Sequence, residues 1–492
     1  MTRSVVVGLV ALLVVPSHVF TQEDPEFQKW LKQQRSEYKA YVDKHDREFA
    51  EFLKKEWRGV ELMRASRPDS RPKPQKIPVF APPAGEPAAK LPDERPTPLS
   101  AAPVQQPKRT PIASPSAQRN TNTSFCELLF FDTAVNLSYD RSLVVPLDGP
   151  LDNRSISGFW EAMSQANARD LITQLQYYRK ELKLNDWGFA QLCFQTGQRL
   201  DNGDHNRATL FTWFLLTHTG YDARVGYADG RAHLLVPTGT RLFNTPFFTF
   251  AENGIRYYAV SFKADIQPLT GEISTYEGMF PGAVKAIDFA VMETPVLGKQ
   301  FGERTLIFRD GAHRYSVSVS IDRGAVSYFR SYPQADFPVY FAASVSPSCQ
   351  RSLVSALKPL IDGKSQVEAV NLLLHFTQTA FEYKTDAEQF KREKPLFPDE
   401  TISYPYSDCE DRAILFAFLV RELLQLEVVG LDYPSHIATA IRFRENVKGD
   451  AVIYDGVRYV ICDPTYINAD AGDCMPDLRS TNPKIVTWRN QR

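Results

Sequence analysis

A proline-rich stretch between residues 68 and 115 divides this chain into parts that cannot share one continuous hydrophobic core. It holds 14 of the 34 prolines, with Ala, Ser, Lys and Gln between them. Proline fixes φ and lacks an amide proton, so such a stretch favours extended chain and buries little apolar surface. We predict a disordered linker over residues 63–118, with an N-terminal segment before it and the working part of the protein after it.

The first 21 residues have the pattern of a signal peptide. Arg3 supplies a short positive start, and the 11 residues from Val5 to Val15 are apolar, too few for a comfortable bilayer span. We predict cleavage after Thr21, with an uncleaved N-terminal anchor as the alternative. Both interpretations predict an exported protein, periplasmic or extracellular.

Residues 22–62 predict one amphipathic helix. Apolar and aromatic residues recur at steps of three and four between Glu23 and Val60, among them Trp30 and Phe49, while Lys and Glu occupy the other faces. Two interpretations stay open. The helix either binds a cell-envelope partner or another copy of itself, or it docks on its own domain.

The charge balance excludes some classes of function. The chain has 57 basic and 58 acidic residues, a net charge of -1, which argues against a dedicated nucleic-acid binder. No run of 18 apolar residues follows the N-terminus, so we predict no multi-span membrane insertion. A length of 492 residues with 43% hydrophobic residues predicts a folded chain of more than one domain.

From about residue 119 the sequence alternates helical and strand-like patterns. Residues 150–220 and 350–425 are largely helical in period, whereas Phe125–Leu137 and Ile287–Val291 resemble strands. The segments 304–308 and 315–321 flank Asp310-Gly311 and predict a hairpin. We predict an α+β protein with a mixed region at 119–350 and a second domain at 351–492.

An internal repeat relates these two regions. The run from Asn206 to Phe211 resembles the run from Asp411 to Phe416, and both begin helices of similar apolar pattern. Further on, Gly254-Ile255-Arg256-Tyr257 matches Gly456-Val457-Arg458-Tyr459. The two matches lie at nearly equal separation, which predicts two copies of one α/β unit. The alternative is that the repeat is illusory and residues 119–350 form an ordinary domain.

Cys409 is the candidate nucleophile. It follows Ser407-Asp408 and precedes the apolar run Ala413–Leu424, so we expect it at the N-terminus of a helix. Helix N-terminal amides stabilise a thiolate, whereas the neighbouring carboxylates oppose one. A cationic partner is therefore needed, and imidazolium is the usual one.

His436 and Asp463 are the candidate partners of that thiol. His436 opens the β-rich segment 435–441, and Asp463 directly follows a second predicted strand over Val457–Cys462. If these strands pair antiparallel, the carboxylate can orient the imidazole, which can deprotonate Cys409 and later protonate a leaving amine.

A cysteine at a helix start, a histidine opening a strand and an Asp-Pro-Thr at a strand end together resemble the transglutaminase-like superfamily. The resemblance covers Ser407–Tyr466 closely and extends over about 350–475. It implies a papain-like α+β domain and thiol acyl transfer with no cofactor and no metal. One departure is Ile437-Ala438 after the histidine, where many members have Ala-Trp.

The family resemblance also implies an oxyanion donor upstream of the cysteine. Tyr404 and Tyr406 are candidates, and the backbone N–H of Cys409 is another. In the first copy the arginine anchors align Asp204 with Cys409 and Ser261 with Asp463, while His233 lies near the histidine position. We interpret that copy as degenerate, with a structural or substrate-docking role.

The predicted function is therefore that of an exported cysteine peptidase or amidase acting on a protein or peptide substrate. Transfer to an amine, which would crosslink proteins, is the other outcome of the same chemistry. The alternative from another class is a non-catalytic binding or scaffold protein of the cell envelope. The six cysteines are too sparse for a disulfide scaffold, although Cys462 and Cys474 are close enough in sequence to bridge.

Overall fold

The computed structural model describes residues 25–55, 57–65, 76–80, 97–99, 121–250, 254–262, 269–298 and 301–488. These residues form a mixed helix and sheet protein, which confirms the predicted α+β class at the level of secondary structure. The predicted signal peptide and most of the predicted linker lie outside the described residues. Among the residues described, no helix has the length and apolar character needed to cross a membrane.

The N-terminal segment begins with a helix that is shorter than predicted. This helix is α1 Pro25–Leu53, and three short strands follow it: β1 Arg58–Glu61, β2 Met63–Arg64 and β3 Thr97–Leu99. The apolar pattern of the sequence continues past the end of the helix at Leu53, because Trp57 packs against the same aromatic cluster as the helix does. The ring centroid of Trp57 lies 5.3 Å from those of Tyr227 and Tyr276. Gly59 fits opposite Ser274, where a Cβ atom would collide with the side chain of Glu272.

The first globular part contains a hairpin, four helices and five further strands. These are β4 Thr123–Phe130, β5 Thr133–Asp140, α2 Asn153–Gln165, α3 Arg169–Glu181, α4 Asp186–Leu200, α5 His205–His218, β6 Arg224–Ala228, β7 Arg231–Pro237, β8 Pro246–Thr249, β9 Arg256–Val260 and β10 Glu272–Thr275. The predicted strand Phe125–Leu137 is thus two strands. Phe131 and Asp132, both with positive φ, make the tight turn between them.

A connecting part joins the two regions of the repeat. It consists of β11 Phe301–Asp310, β12 His313–Asp322, α6 Arg323–Arg330 and α7 Phe337–Ala342. The predicted hairpin around Asp310-Gly311 is confirmed by the pairing of β11 with β12. Ile287–Val291, predicted as a strand, is not one. Its alternate side chains are buried, but the amide of Asp288 donates to the Asp186 carboxylate and not to a strand.

The C-terminal part carries the candidate residues. Its elements are α8 Pro347–Ile361, α9 Gln366–Thr379, β13 Glu382–Tyr383, α10 Asp386–Gln389, α11 Pro398–Ser403, β14 Tyr406–Ser407, α12 Cys409–Leu424, β15 Glu427–Tyr433, β16 His436–Arg442, β17 Ala451–Tyr454, β18 Val457–Cys462 and β19 Lys484–Val486. Helix α12 packs against β15, β16 and α9.

The two regions of the repeat share one strand topology. The sheet of the C-terminal part has the order β17-β18-β16-β15-β19, and every neighbouring pair is antiparallel. In the first part the order β8-β9-β7-β6-β10 reproduces it strand for strand, extended by β1 and β2 at the edges. A helix, α5 or α12, precedes each set. This agreement, which short sequence matches alone did not guarantee, supports the interpretation as two copies of one unit.

Candidate active site

Cys409 is the first residue of α12, as the sequence predicts. Asp408 caps the helix, and its backbone N–H donates to the Asp411 carboxylate at 3.2 Å in a reciprocal capping box. This arrangement satisfies two groups at the helix start, where amide N–H groups have no acceptor within the helix. The thiol therefore lies at the positive end of a 16-residue helix.

The structure brings His436 and Asp463 into direct contact. Strands β16 and β18 pair antiparallel with Thr439 opposite Cys462, so the start of β16 lies beside the residues that follow β18. The His436 Nε2 atom is 2.8 Å from Asp463 Oδ2. The other carboxylate oxygen of Asp463 accepts from the backbone N–H groups of Thr465 at 2.9 Å and Tyr466 at 3.3 Å.

These contacts decide which nitrogen of His436 is available for chemistry. A carboxylate oxygen accepts hydrogen bonds, so the contact places the imidazole proton on Nε2. The lone pair of a neutral ring then lies on Nδ1, which is buried and has no hydrogen-bond partner among the residues described. A buried ring nitrogen without a hydrogen-bond partner destabilises the folded state, so it calls for a functional explanation such as a role in catalysis.

Carboxylates surround Cys409 closely. Its side chain is 1% exposed, and the thiol donates to Glu410 Oε2 at 3.2 Å. Asp386, Asp408 and Glu410, all buried, bring carboxylate oxygens within 4.8 Å of one another. This set of hard oxygen donors has the chemistry to hold a cation such as Ca²⁺ or Mg²⁺. Without one, its negative charge opposes formation of a thiolate.

Arg412 supplies positive charge beside this group of carboxylates. Its guanidinium is fully buried and donates to Ser407 Oγ at 3.1 Å and to the backbone oxygens of Gln378 and Phe381 at 3.1 and 2.8 Å. Burial lowers the pKa of Arg412 to about 10, so it stays charged at neutral pH.

Gln378 on α9 positions the loop that carries Asp463. Its side-chain amide donates to the backbone oxygens of Asp463 at 3.1 Å and Ala469 at 3.0 Å, and it accepts from the backbone N–H of Asn468 at 3.0 Å. The side chain is buried and fully engaged. Only its place on a helical face distinguished it in the sequence, and that pattern carries no signal for such a contact.

The two candidate oxyanion tyrosines lie where α11 ends and β14 begins, on either side of Pro405 in the sequence. The Tyr404 hydroxyl is 3.5 Å from Glu400 Oε1, and burial raises the pKa of Tyr404 well above its usual range. Tyr406 opens the short strand β14, and Lys384 Nζ lies 3.7 Å from the centre of its ring. Their assignment to an oxyanion hole stays a prediction.

A short piece of the predicted linker lies on the loop after Asp463. The backbone N–H of Phe80 donates to Ile467 O at 2.8 Å, and the N–H of Ile467 donates to Pro78 O at 2.9 Å. The Phe80 ring packs edge-to-face on Tyr466 with centroids 5.7 Å apart. This part of the proline-rich stretch therefore forms an extended strap beside the candidate site.

The first copy presents different residues at the corresponding places. Ser261 follows β9 just as Asp463 follows β18, and His233 lies in β7, the counterpart of β16. Counted from the caps Asp204 and Asp408, however, the residue opposite Cys409 is His205. The alignment by the arginines gives Asp204 and differs by one residue, because Arg207 is three residues after its cap and Arg412 four.

All six cysteines are free thiols in the structure, Cys462 and Cys474 included. Burial raises the pKa of five of them above the usual range, to about 11 for Cys126 and Cys474. The thiols of Cys193, Cys349 and Cys462 are fully buried and shifted further in the same direction. These five are therefore poor nucleophiles at neutral pH.

No protein-family model, no curated protein and no solved structure matches this chain. The site must therefore be interpreted from its own residues.

Proposed function

We propose that this protein is an exported cysteine enzyme of transglutaminase-like type, with a papain-like C-terminal domain and Cys409, His436 and Asp463 as its catalytic groups. The contact between His436 Nε2 and Asp463 Oδ2 at 2.8 Å carries the proposal, because it leaves Nδ1 as the base. The packing of α12 on β16 supports it further, since this joins the element that begins with Cys409 to the one that begins with His436.

In the proposed reaction His436 Nδ1 takes the thiol proton, and the sulfur of Cys409 attacks an amide carbonyl carbon. The resulting oxyanion accepts hydrogen bonds from the helix-start amides, with Tyr404 or Tyr406 as a further donor. The C–N bond breaks, and His436 returns the proton to the leaving amine. A thioester remains, and water or an amine resolves it, with His436 acting again as base.

Arg412 and the helix dipole favour the charged form of the sulfur, whereas the nearby carboxylates oppose it. An imidazolium at His436 favours the thiolate over the thiol, because proton transfer from Cys409 creates this cation next to the sulfur. We favour hydrolysis over crosslinking, since water is always present as an acceptor. The substrate class is a protein or peptide amide.

The test is rate-resolved alkylation of the six thiols at neutral pH by iodoacetamide, read by mass spectrometry. We expect Cys409 to react fastest, because the helix-start amides and His436 favour its thiolate, whereas burial raises the pKa of the other five thiols. His436→Ala is expected to slow the alkylation of Cys409 by about tenfold or more. His313→Ala, an exposed histidine on β12, is the matched control and should leave the rate unchanged.

Equally slow alkylation of Cys409 in the wild type and in His436→Ala would overturn the proposal. Incubation with a glutamine-containing peptide, with and without a primary amine, then separates the two activities. Release of ammonia without amine incorporation indicates hydrolysis, and amine incorporation indicates crosslinking.

The burial of the site favours a second candidate. Cys409 and His436 are 1% and 3% exposed, which suits a non-catalytic binding or scaffold protein that keeps the fold without the chemistry. In that case no substrate path opens and Cys409 resists alkylation in every variant. The same experiment therefore decides between the two candidates.

A further inference from the structure

A cavity of about 510 Å³ lies in the first copy, at the positions that correspond to the candidate active site. His205, His233 and Ser261 line it. Counted from the helix caps and strand ends, His205 and Ser261 occupy the places of Cys409 and Asp463. Arg231 opens β7 as His436 opens β16, and His233 lies two residues further along the strand. We call these three residues with their cavity the first-copy site. The degenerate copy has thus kept an open site while losing the nucleophile.

Positive charge dominates the first-copy site. Four arginines line it, and they come from four different segments of the chain: Arg64, Arg231, Arg330 and Arg392. Among the described residues, no Asp or Glu lines the cavity. None of the four forms an ion pair with a carboxylate in the part of the chain that the structure describes. For a protein with a net charge of -1, this is a concentration of uncompensated cations around one cavity.

His233 adds a polar group that has no partner. Its Nε2 atom is buried and makes no hydrogen bond within the described residues. Burial lowers the pKa of His233 to about 4, with further contributions in the same direction from Arg231 and His205 and an opposing one from Asp229. The imidazole is therefore neutral at physiological pH and can offer one N–H to a ligand.

The remaining wall of the cavity is largely apolar. Leu234, Phe243 and Val260 contribute to it. Ligand sites of this kind combine an apolar surface with a few convergent polar groups that fix orientation. A ligand complementary to these walls has an apolar body and one end that carries negative charge.

We propose that the first-copy site binds a small organic anion, whose carboxylate or phosphate group is held by the arginines. Guanidinium groups pair with both oxyanions in a bidentate manner, so the chemistry is shared by the two classes. Arg392 belongs to the C-terminal part, in the loop between α10 and α11. The bound anion therefore touches both copies. This proposal does not depend on catalysis at Cys409.

Calorimetric titration of the full chain with three matched probes tests the proposal: phenyl phosphate, benzoate and benzyl alcohol. We expect at least one of the two anions to bind and the neutral alcohol not to bind. Binding of one anion alone identifies a phosphate or a carboxylate ligand. Affinity should fall as salt is raised, because exposed charges are screened. Equal binding of benzyl alcohol, or no binding of either anion at millimolar concentration, would overturn the proposal.

Single variants locate the binding. Arg231→Gln and Arg392→Gln are each expected to lower the affinity for the anion by about fivefold or more, since each removes one charged donor. Arg309→Gln removes an exposed arginine on β11 that does not line the cavity, and should change nothing. Equal affinity in all three variants would place the anion elsewhere and contradict the proposal. Cys409→Ser should bind as the wild type does, which separates this inference from the proposed enzyme activity.

Discussion

At the scale of single residues, the Asp463 carboxylate controls which nitrogen of His436 carries the proton. Asp463→Asn keeps the acceptor for Thr465 and Tyr466 but turns an NH₂ group toward Nε2. The ring must then accept at Nε2 and hold its proton on Nδ1, where it can no longer take one from the thiol. We expect alkylation of Cys409 at neutral pH to slow by about tenfold or more.

Asp455→Asn is the matched control for that variant. Asp455 is an exposed turn residue with positive φ, a conformation that Asn adopts readily. It should alkylate like the wild type and have an unchanged circular dichroism spectrum. A rate for Asp463→Asn that equals this control would mean that Asp463 is structural.

Arg412 permits a second prediction, on stability. The substitution Arg412→Met leaves Ser407 and two buried carbonyls without their donor and removes a positive charge beside the carboxylates of the helix start. We expect a loss of about 3–5 kcal/mol in the free energy of unfolding, measured by urea denaturation. Arg207→Met, in the first copy, should cost only about 1 kcal/mol, because the Arg207 side chain is itself 22% exposed and its partner Asp204 is exposed, although Asp201 is buried. Similar losses in both variants would contradict this difference.

The candidate residues could be found in the sequence, whereas their supports could not. Cys409, His436 and Asp463 each adjoin a local signal: a helix cap, a strand start or a turn such as Asp455-Gly456. Gln378 and the two carbonyl partners of Arg412 depend on contacts across more than 30 residues, which no periodic pattern encodes.

At the scale of elements, α1 has two halves with different surroundings. Its C-terminal half docks on the first copy, where Phe49 packs against Trp160 with ring centroids 4.8 Å apart and Asp46 meets His218 at 3.1 Å. Its N-terminal half presents aromatic side chains at the surface, with Tyr38 63% exposed. The docking interpretation from the sequence therefore describes the second half of the helix. A partner for the first half stays a prediction.

This division predicts unequal effects of two similar substitutions. Phe49→Ala removes a buried ring that contacts five other aromatic rings and is expected to cost about 3–5 kcal/mol in stability. Tyr38→Ala, on the exposed half, should stay within about 0.5 kcal/mol of the wild type. Thermal unfolding of both variants is the measurement. A small loss of stability in Phe49→Ala would mean that the docked half of α1 contributes little to the stability of the fold.

His375 joins three elements and makes their association depend on pH. From α9 it bonds to Asp310 of the β11–β12 hairpin at 2.7 Å, and it lies 3.1 Å from Asp470 in the loop after Asp463. Burial lowers the pKa of His375, but its hydrogen bonds to the Asp310 and Asp470 carboxylates, which accept, outweigh burial and raise this pKa to about 9. The folded state thus binds this proton more tightly than the unfolded state, whose histidine has a pKa of about 6.5.

The sign of the resulting effect follows from linkage. The stabilisation from His375 is complete below about pH 6.5 and is lost as the pH rises through about 9. Since Asp470 is partly exposed, we discount the contribution to about 1–2 kcal/mol. The stabilities of wild type and His375→Gln should therefore differ at neutral pH and converge in alkali, as measured by urea denaturation across this range. A constant difference would rule out the proton as its source.

At the scale of the whole molecule, the two copies are held together by the segment that connects them. Tyr328 of α6 donates to Asn185 in the first copy, while its neighbour Phe329 stacks on Phe397 of the C-terminal part at 4.2 Å. Phe341 of α7 stacks on Trp488 at 5.2 Å. One cluster of buried apolar residues consequently runs from Phe49 to Trp488 and includes both copies. The sequence repeat predicted two similar units, but it could not indicate this shared core, because the connecting aromatics belong to neither copy.

A shared core implies that the two copies unfold together. Burying apolar surface between units couples their stabilities, so neither can lose its structure without exposing the cluster of the other. Cys193 in the first copy and Cys462 in the C-terminal part are both fully buried and report on one unit each. Pulsed thiol labelling through a urea titration should give the same midpoint for both cysteines. Two separated midpoints would mean that the copies are independent domains. Phe329→Ala removes the stacking on Phe397 and is the single variant most suited to separate the two midpoints.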